Sequence, residues 1–284
     1  MKIPISLDPY NTEFSPQKAY LLALASKLAY EGGSTVEKAC KEFGFKKSRF
    51  ILNKDTGTEC FVASTDKFMV VCFRGTDELK DWFKNVNMLH TDGPLGSCHR
   101  GFAEAYRSIA NDLDDAISDC RAQSREKLPH GYGKLKPYLN NIHPQSIWFT
   151  GHSLGGALAT VAAGYNIESC KPMDGLYTYG SPRVFDWEAA IKFEQSAGKR
   201  TFRFVNNCDL VTRLPKRLMG YRHVGELKYF DENGVLKEDP SWWSRFVDRF
   251  QGRFEDVMEK GFAAVKDHDI DDYIKRAQRA CENC

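Results

Sequence analysis

Residues 146–159 read S-I-W-F-T-G-H-S-L-G-G-A-L-A, an apolar run that meets Gly151-His152-Ser153-Leu154-Gly155 and passes into small residues. The pattern predicts a buried strand, a sharp turn at Ser153 and a helix. That context is what turns a loose G-x-S-x-G match into a nucleophile elbow. At such an elbow the serine adopts a strained backbone conformation that lifts its hydroxyl above the sheet edge. Gly151 and Gly155 must then lack side chains for strand and helix to approach, and Gly156, Ala157 and Ala159 extend the contact. A glycine-rich turn between a core strand and a core helix is the plainer reading of the same letters, and the rest of the chain decides between the two.

Outward from the elbow, the chain alternates strands and helices. Ser15-Pro16 followed by K-A-Y-L-L-A-L-A-S-K-L-A-Y reads as an N-cap, a proline at the first helical position and an apolar helix ending before Gly32-Gly33. Strands are expected at Arg49 to Leu52, Glu59 to Ser64 and Lys67 to Phe73, with turns at Asp55-Thr56-Gly57 and Ser64-Thr65-Asp66. From Gly101 the spacing of Phe102, Tyr106, Ile109, Leu113 and Ile117 predicts one helical face. A polar loop at Leu128-Pro129-His130-Gly131 and a second short helix precede the Ser153 strand. Beyond the elbow helix come a strand at Gly175 to Tyr179, a helix from Trp187 to Ala197, and a strand at Thr201 to Val205. This order implies an α/β fold with a mostly parallel central sheet and helices on both faces. No internal repeat or linker appears, so residues 1–284 are expected to form a single domain.

A serine hydroxyl needs a base within hydrogen-bond reach and a third group to orient that base. Sites in such sheets gather at the carboxyl ends of strands, and the Thr201 strand delivers Asn206-Asn207-Cys208-Asp209 there. Asp209 is the best acid; Asp174 precedes its strand and Asp186 falls in a loop several residues past one. The chain order Ser, Asp, His leaves two bases, His223 and His268. His223 runs into the strand E-L-K-Y-F, which suits a structural role, whereas His268 follows a long amphipathic segment that can carry it over the sheet edge. Spacing alone favours His268 by a small margin. The oxyanion hole requires backbone N–H donors. One follows from the elbow, the Leu154 N–H; the other is expected from Arg74-Gly75-Thr76, where Gly75 permits a tight turn and Thr76 presents its N–H.

Composition narrows the function classes. Forty basic residues against 38 acidic ones leave a net charge of +2, so no electrostatic footprint for nucleic acid exists. No window reaches membrane-spanning length. Asp8, Glu13 and two prolines near the start interrupt the apolar stretch that a secretory signal requires, and the default expectation is a cytoplasmic protein, with export by another route leaving no trace. Nine cysteines, an odd number, are expected to be mostly buried reduced thiols. Cys281 and Cys284 form a terminal C-x-x-C with no second pair to complete a zinc site. No metal or cofactor is implied.

Taken together, F-R-G-T at 73–76, D-W at 81–82, H-R-G-F at 99–102, G-H-S-L-G-G-A-L-A at 151–159, Y-G-S-P-R-V at 179–184, the Asp209 segment, R-H-V-G at 222–225 and D-H-x-x-x-x-Y at 267–273 resemble the class 3 (fungal-type) lipase family of α/β-hydrolases. The motif-bearing part runs from about residue 60 to residue 274. The resemblance implies Ser153 as nucleophile, Asp209 as orienting acid and His268 as base, with Thr76 and Leu154 as the oxyanion hole and His223 structural. It also implies a lipid or ester substrate met at a lipid–water interface. Two departures stand out: Asp269 replaces the serine that commonly follows the histidine and would raise the pKa of His268 if the two come close. The extracellular members are secreted and disulfide-bonded, which this cysteine-rich, signal-less chain does not suggest.

Two apolar stripes bear on substrate. Leu79, Trp82, Phe83 and Val86 fall at i, i+3, i+4 and i+7, which suits a helical lid and an ordinary packed helix equally. Trp242, Trp243, Phe246, Val247, Phe250, Phe254, Val257, Met258 and Phe262 share a second face from Pro240 to about Lys266, which suits an acyl-chain wall or an interface-binding surface, with core packing the favoured reading. The function this implies is a triacylglycerol lipase-like serine carboxylester hydrolase. Its alternatives are a phospholipase A, a soluble-ester esterase, or a lipase-like scaffold that binds without catalysis.

Overall fold

The computed structural model describes residues 8–76, 89–125, 145–237 and 267–282. The stripe of Leu79, Trp82, Phe83 and Val86, the loop and short helix expected between 126 and 144, the aromatic stripe from Pro240 to Lys266 and Cys284 lie outside the described residues.

Strands β1 (Lys47–Asn53), β2 (Thr58–Ser64), β3 (Phe68–Phe73), β6 (Ser146–His152), β7 (Gly175–Tyr179), β8 (Thr201–Asn206), β9 (Glu226–Phe230) and β10 (Leu236–Lys237) form one sheet in the order β1-β2-β3-β6-β7-β8-β9-β10. The five strands from β3 to β9 run parallel, and β1, β2 and β10 add antiparallel edges. A separate hairpin pairs β4 (His90–Gly93) with β5 (Gly96–His99). The β1–β2 turn forms as its residues predict: Asn53 Oδ1 accepts the N–H groups of Asp55 and Thr56 at 3.0 Å each, and Gly57 takes φ +65°.

Helices cover both faces. On one side lie α1 (Pro16–Leu28), α2 (Gly33–Glu42) and α7 (Ile270–Glu282), whose Leu22, Val36 and Tyr273 pack with Val70, Trp148, Tyr177 and Phe202 of the sheet. On the other lie α3 (Arg100–Arg107), α4 (Ala110–Arg125), α5 (Leu154–Glu168) and α6 (Trp187–Ala197), packed on Val71, Phe149 and Leu176. All seven residues of β6 are buried, which is why Ile147-Trp148-Phe149 run together in it without the alternation of a half-exposed strand. The expected start of α1 is observed, with the Ser15 side chain accepting the Lys18 N–H at 3.3 Å and Pro16 at the first position.

The helix expected from Gly101 breaks into α3 and α4 at Ser108-Ile109, although its apolar face is buried throughout. Ser108 Oγ donates back to the Ala105 carbonyl at 2.7 Å, and the Ser108 carbonyl accepts Asn53 Nδ2 at 2.9 Å. A tertiary partner thus takes that carbonyl. Among the described residues no helix is long and apolar enough to cross a membrane. Cys40, Cys60, Cys72, Cys98 and Cys120 are buried thiols. Burial pushes Cys40 and Cys98 up to about 12, so these groups stay protonated and inert.

Candidate active site

Ser153 stands between the end of β6 and the start of α5 with φ +57° and ψ −127°, a region that costs a non-glycine residue roughly 1–3 kcal/mol and persists only where packing enforces it. The enforcement is backbone to backbone. A methyl group on Gly151 would overlap the Gly155 carbonyl, and one on Gly155 would overlap the Phe73 carbonyl oxygen. One on Gly156 would come within 2.8 Å of Ser181 Cβ. The Ser153 N–H is held by the Tyr179 carbonyl of β7 at 2.9 Å. The glycines and small residues of this motif therefore serve close approach, and they leave the Ser153 side chain as the exception at the turn.

Asp209 and His268 come together although 59 residues separate them: His268 Nδ1 and Asp209 Oδ2 are 2.9 Å apart, with 2% and 0% of the two side chains exposed. Both oxygens of Asp209 accept further hydrogen bonds. Its Oδ2 also receives the Tyr273 hydroxyl at 2.6 Å and its Oδ1 the Val211 N–H at 2.9 Å. The Tyr273 oxygen in turn accepts the Asn206 N–H at 2.9 Å. A carboxylate with no proton of its own obliges His268 to carry its hydrogen on Nδ1, which leaves Nε2 with a lone pair. Nε2 and Ser153 Oγ are both buried, and neither has a hydrogen-bond partner among the described residues. Gly180 makes room for the pair: at φ +60°, a methyl there would lie 2.8 Å from both Asp209 Oδ2 and His268 Cε1.

A second histidine backs the first. His152 Nε2 lies 2.7 Å from the His268 carbonyl oxygen and its Nδ1 2.8 Å from the Tyr30 hydroxyl. Since a carbonyl only accepts, His152 is protonated on Nε2 and receives the tyrosine proton on Nδ1. Its ring packs on that of His268 at 4.5 Å between centroids. His152, Tyr30 and Tyr273 were not assigned roles from sequence. The one available signal was that His152 and Tyr273 fall inside the motifs quoted above.

Arg74-Gly75-Thr76 leaves the end of β3 against the elbow, since a methyl on Gly75 would overlap the Tyr30 hydroxyl and lie 2.8 Å from the His152 carbonyl oxygen. Thr76 and Leu154 thus sit on adjoining segments, and Leu154 opens α5, where first-turn N–H groups have no partner within the helix.

The rival residues are engaged elsewhere. Asp174 Oδ2 accepts the Ile147 N–H at 2.7 Å before β7 begins, and Asp186 caps α6 through the Ala189 N–H at 2.8 Å. His223 Nε2 donates to the Thr212 carbonyl at 2.7 Å. Asp269 is exposed and caps α7, its Oδ1 accepting the Asp271 N–H at 2.9 Å. That carboxylate serves the helix start.

Three histidines resist protonation, the buried His99 and His152 and the half-buried His223. Burial, then the neighbouring His90, lowers His99 to about 4; burial, then the charge of His268, holds His152 well below the usual range. Burial, then Arg203 and Arg183, does the same to His223. In the unfolded chain each titrates near 6.5, so below that pH the unfolded state binds protons that the folded state refuses, and stability falls as pH falls. Stability is therefore expected to fall as the pH is lowered from 7.5 to 5.5, through the range in which the unfolded chain takes up these protons. Urea unfolding at those two pH values is expected to show it, and equal stabilities would contradict the neutral assignments.

A strained serine at a strand-to-helix turn, on the carboxyl edge of a mostly parallel sheet and across from an Asp–His pair, defines an α/β-hydrolase. A family model described as "Lipase (class 3)" matches residues 70–219, more than half of the chain. This chain belongs to the class 3 lipase family. It is 34% identical over 194 residues to a secreted mono- and diacylglycerol lipase of Fusarium solani, covering 66% of this chain and 52% of that protein. It is 29% identical over 196 residues to a chloroplastic phospholipase A(1) of Arabidopsis thaliana, covering 63% and 40%. The chain spans about half the length of the curated relatives it matches. The crystal structure of a mono- and diacylglycerol lipase from Aspergillus oryzae superposes with a TM-score of 0.62 at 21% identity, covering 79% of this chain and 85% of that one, and shares the fold. The cytoplasmic expectation drawn from the first residues is corrected by these matches, because the relatives from Fusarium solani and Penicillium cyclopium are secreted lipases by name.

Proposed function

We propose that this protein is a serine carboxylester hydrolase acting on lipid esters, working outside the cell at a lipid–water interface. The observation that carries the reading is the Asp209–His268 pair, which leaves an unpartnered Nε2 lone pair and an unpartnered Ser153 Oγ buried at one strained elbow. Ser153 Oγ attacks the ester carbonyl carbon while its proton passes to His268 Nε2, and Asp209 stabilises the imidazolium that forms. The carbonyl oxygen becomes an oxyanion facing the N–H groups of Thr76 and Leu154. Collapse of the tetrahedral adduct breaks the bond to the alcohol, which departs with the proton from His268. Water, deprotonated by His268, then attacks the acyl-Ser153 ester, and the carboxylic acid leaves as Ser153 recovers its proton. Nothing in these steps needs a metal or cofactor.

The test is covalent. A fluorophosphonate probe is expected to label Ser153, identified by peptide mass spectrometry, with matching loss of p-nitrophenyl ester turnover. A folded protein that stays unlabelled and inactive would instead be a binding scaffold. A panel of short-chain, triacylglycerol and phospholipid esters, followed through the micelle or emulsion threshold, separates a lipase from a phospholipase A or a soluble-ester esterase. The phospholipase A(1) among the relatives keeps that second reading in play.

A further inference from the structure

The loop that leaves Asp209 returns beside residues 182–185, where the Arg183 N–H reaches the Leu214 carbonyl at 2.6 Å and the Arg222 N–H the Phe185 carbonyl at 2.7 Å. Leu214 and Tyr221, near its two feet, are buried. Between them Arg217–Met219 form a single 3₁₀ turn, and Leu218 at its tip is 98% exposed, with Met219 exposed beside it. The turn is braced from several sides. Gly220, at φ +89°, donates its N–H to the Arg217 carbonyl at 3.1 Å, and Arg222 Nη1 donates to the same carbonyl at 3.0 Å. His90 Nε2 lies 3.0 Å from the Met219 carbonyl oxygen, and the His90 ring stacks on Tyr221 at 4.1 Å between centroids. Arg183 Nη1 holds the incoming limb through the Pro215 carbonyl at 2.8 Å. The outward placing of Leu218 is thus fixed by the folded loop around it.

The surroundings of this tip are apolar and positively charged. Trp187, at the start of α6, is 60% exposed, and the Arg222 guanidinium lies over its ring at 5.3 Å. Arg217 is exposed. Burial, then the charges of Arg217, Arg222 and Arg213, lowers Arg183 to about 10, so the charges gathered about the loop share one sign. The two acids that flank Trp187 are engaged, Asp186 by the Ala189 N–H at 2.8 Å and Glu188 by Lys192 at 2.7 Å. Isolated exposed apolar side chains are ordinary on a protein surface. Leu218, Met219 and Trp187 grouped about two arginines match a partner with an apolar interior and a negatively charged face.

We propose that this turn and Trp187 dock the protein on an anionic phospholipid surface, with Leu218 and Met219 entering the acyl region, Trp187 at headgroup level, and Arg217 and Arg222 against the phosphates. Tryptophan suits that level because its ring is amphipathic. A basic side chain close to such a surface strengthens binding about fivefold, and an aliphatic one that leaves water for the acyl region strengthens it by about tenfold or more. The inference rests on the reading of the protein as a lipid-ester hydrolase, and it names the charge of the surface at which that hydrolase works.

The test uses vesicles of ether-linked lipids, which hold no ester to cleave: phosphatidylcholine alone, and phosphatidylcholine mixed with phosphatidylglycerol. Cosedimentation of the full chain is expected to favour the anionic vesicles at least about tenfold, and the preference should shrink as sodium chloride is raised. Arg217→Gln is expected to weaken binding to them about fivefold, and Leu218→Ser at least about tenfold. Both positions are exposed, so thermal unfolding of the variants should match the wild type. Equal binding to the two kinds of vesicle, binding unchanged in either variant, or no vesicle binding at all would overturn the proposal, the last leaving this face to a protein partner. Turnover of p-nitrophenyl acetate by the wild type is measured beside it. Turnover without vesicle binding removes the docking surface and leaves the hydrolase, whereas vesicle binding with neither turnover nor a fluorophosphonate label keeps the surface and removes the hydrolase.

Discussion

Ser153→Ala and His268→Ala are each expected to lower kcat on a p-nitrophenyl ester by roughly a million-fold, and the double variant by no more than either alone. The reason is geometric. Ser153 Oγ is a weak nucleophile without a proton acceptor, and among the described residues the buried unpartnered acceptor at this elbow is His268 Nε2. With either atom removed, the other has nothing to exchange a proton with, so the second deletion finds no catalysis left to lose. Residual turnover then reflects the oxyanion donors and binding alone. Steady-state rates for the three variants, with circular dichroism to confirm folding, check this. Additive losses in the double variant would mean that the two residues act separately and that the assigned triad is wrong.

Asp209→Asn is expected to lower kcat about ten-thousand-fold with the fold preserved. Asp209 accepts from three directions, the Val211 N–H on Oδ1 and both His268 Nδ1–H and the Tyr273 hydroxyl on Oδ2. An amide has only one oxygen to offer. If that oxygen faces Val211, the NH₂ group meets His268, which must then hold its hydrogen on Nε2, where Ser153 needs a lone pair. If it faces His268, the NH₂ group opposes the Val211 N–H and the loop after β8 shifts. The loss should therefore fall on kcat with little change in KM, measured beside urea stability. A loss of tenfold or less would remove Asp209 as the orienting acid.

Much of this arrangement is written in short-range letters. Gly151, Gly155 and Gly156 announce the elbow because their lack of side chains is a local requirement, and Asp209 follows from its place at the end of a strand. Spacing could not settle the choice between His223 and His268, because it depends on which loop reaches Asp209 across 59 residues. Tyr30 gave no signal for the same reason, and Tyr273, though it closes a quoted motif, has no role to read until its hydroxyl is seen against Asp209. The break at Ser108 was hidden because it depends on Asn53 arriving from β1. Adjacency in sequence left open whether Asp269 meets His268, and its service as a helix cap shows only once α7 is in place.

The last helix has a consequence for the timing of synthesis. Sheet, elbow and Asp209 are all encoded before residue 238, but the base, and the tyrosine that shares Asp209 with it, arrive only with residues 268 and 273. That final segment docks on the first helix, where Lys27 pairs with Asp271. A nascent chain released from the ribosome as far as Phe230 therefore holds a serine with no base to activate it. The proposed site is complete only once the segment around residues 268–273 has docked on the first helix and on Asp209, so it stays without a base until that part of the chain has been made.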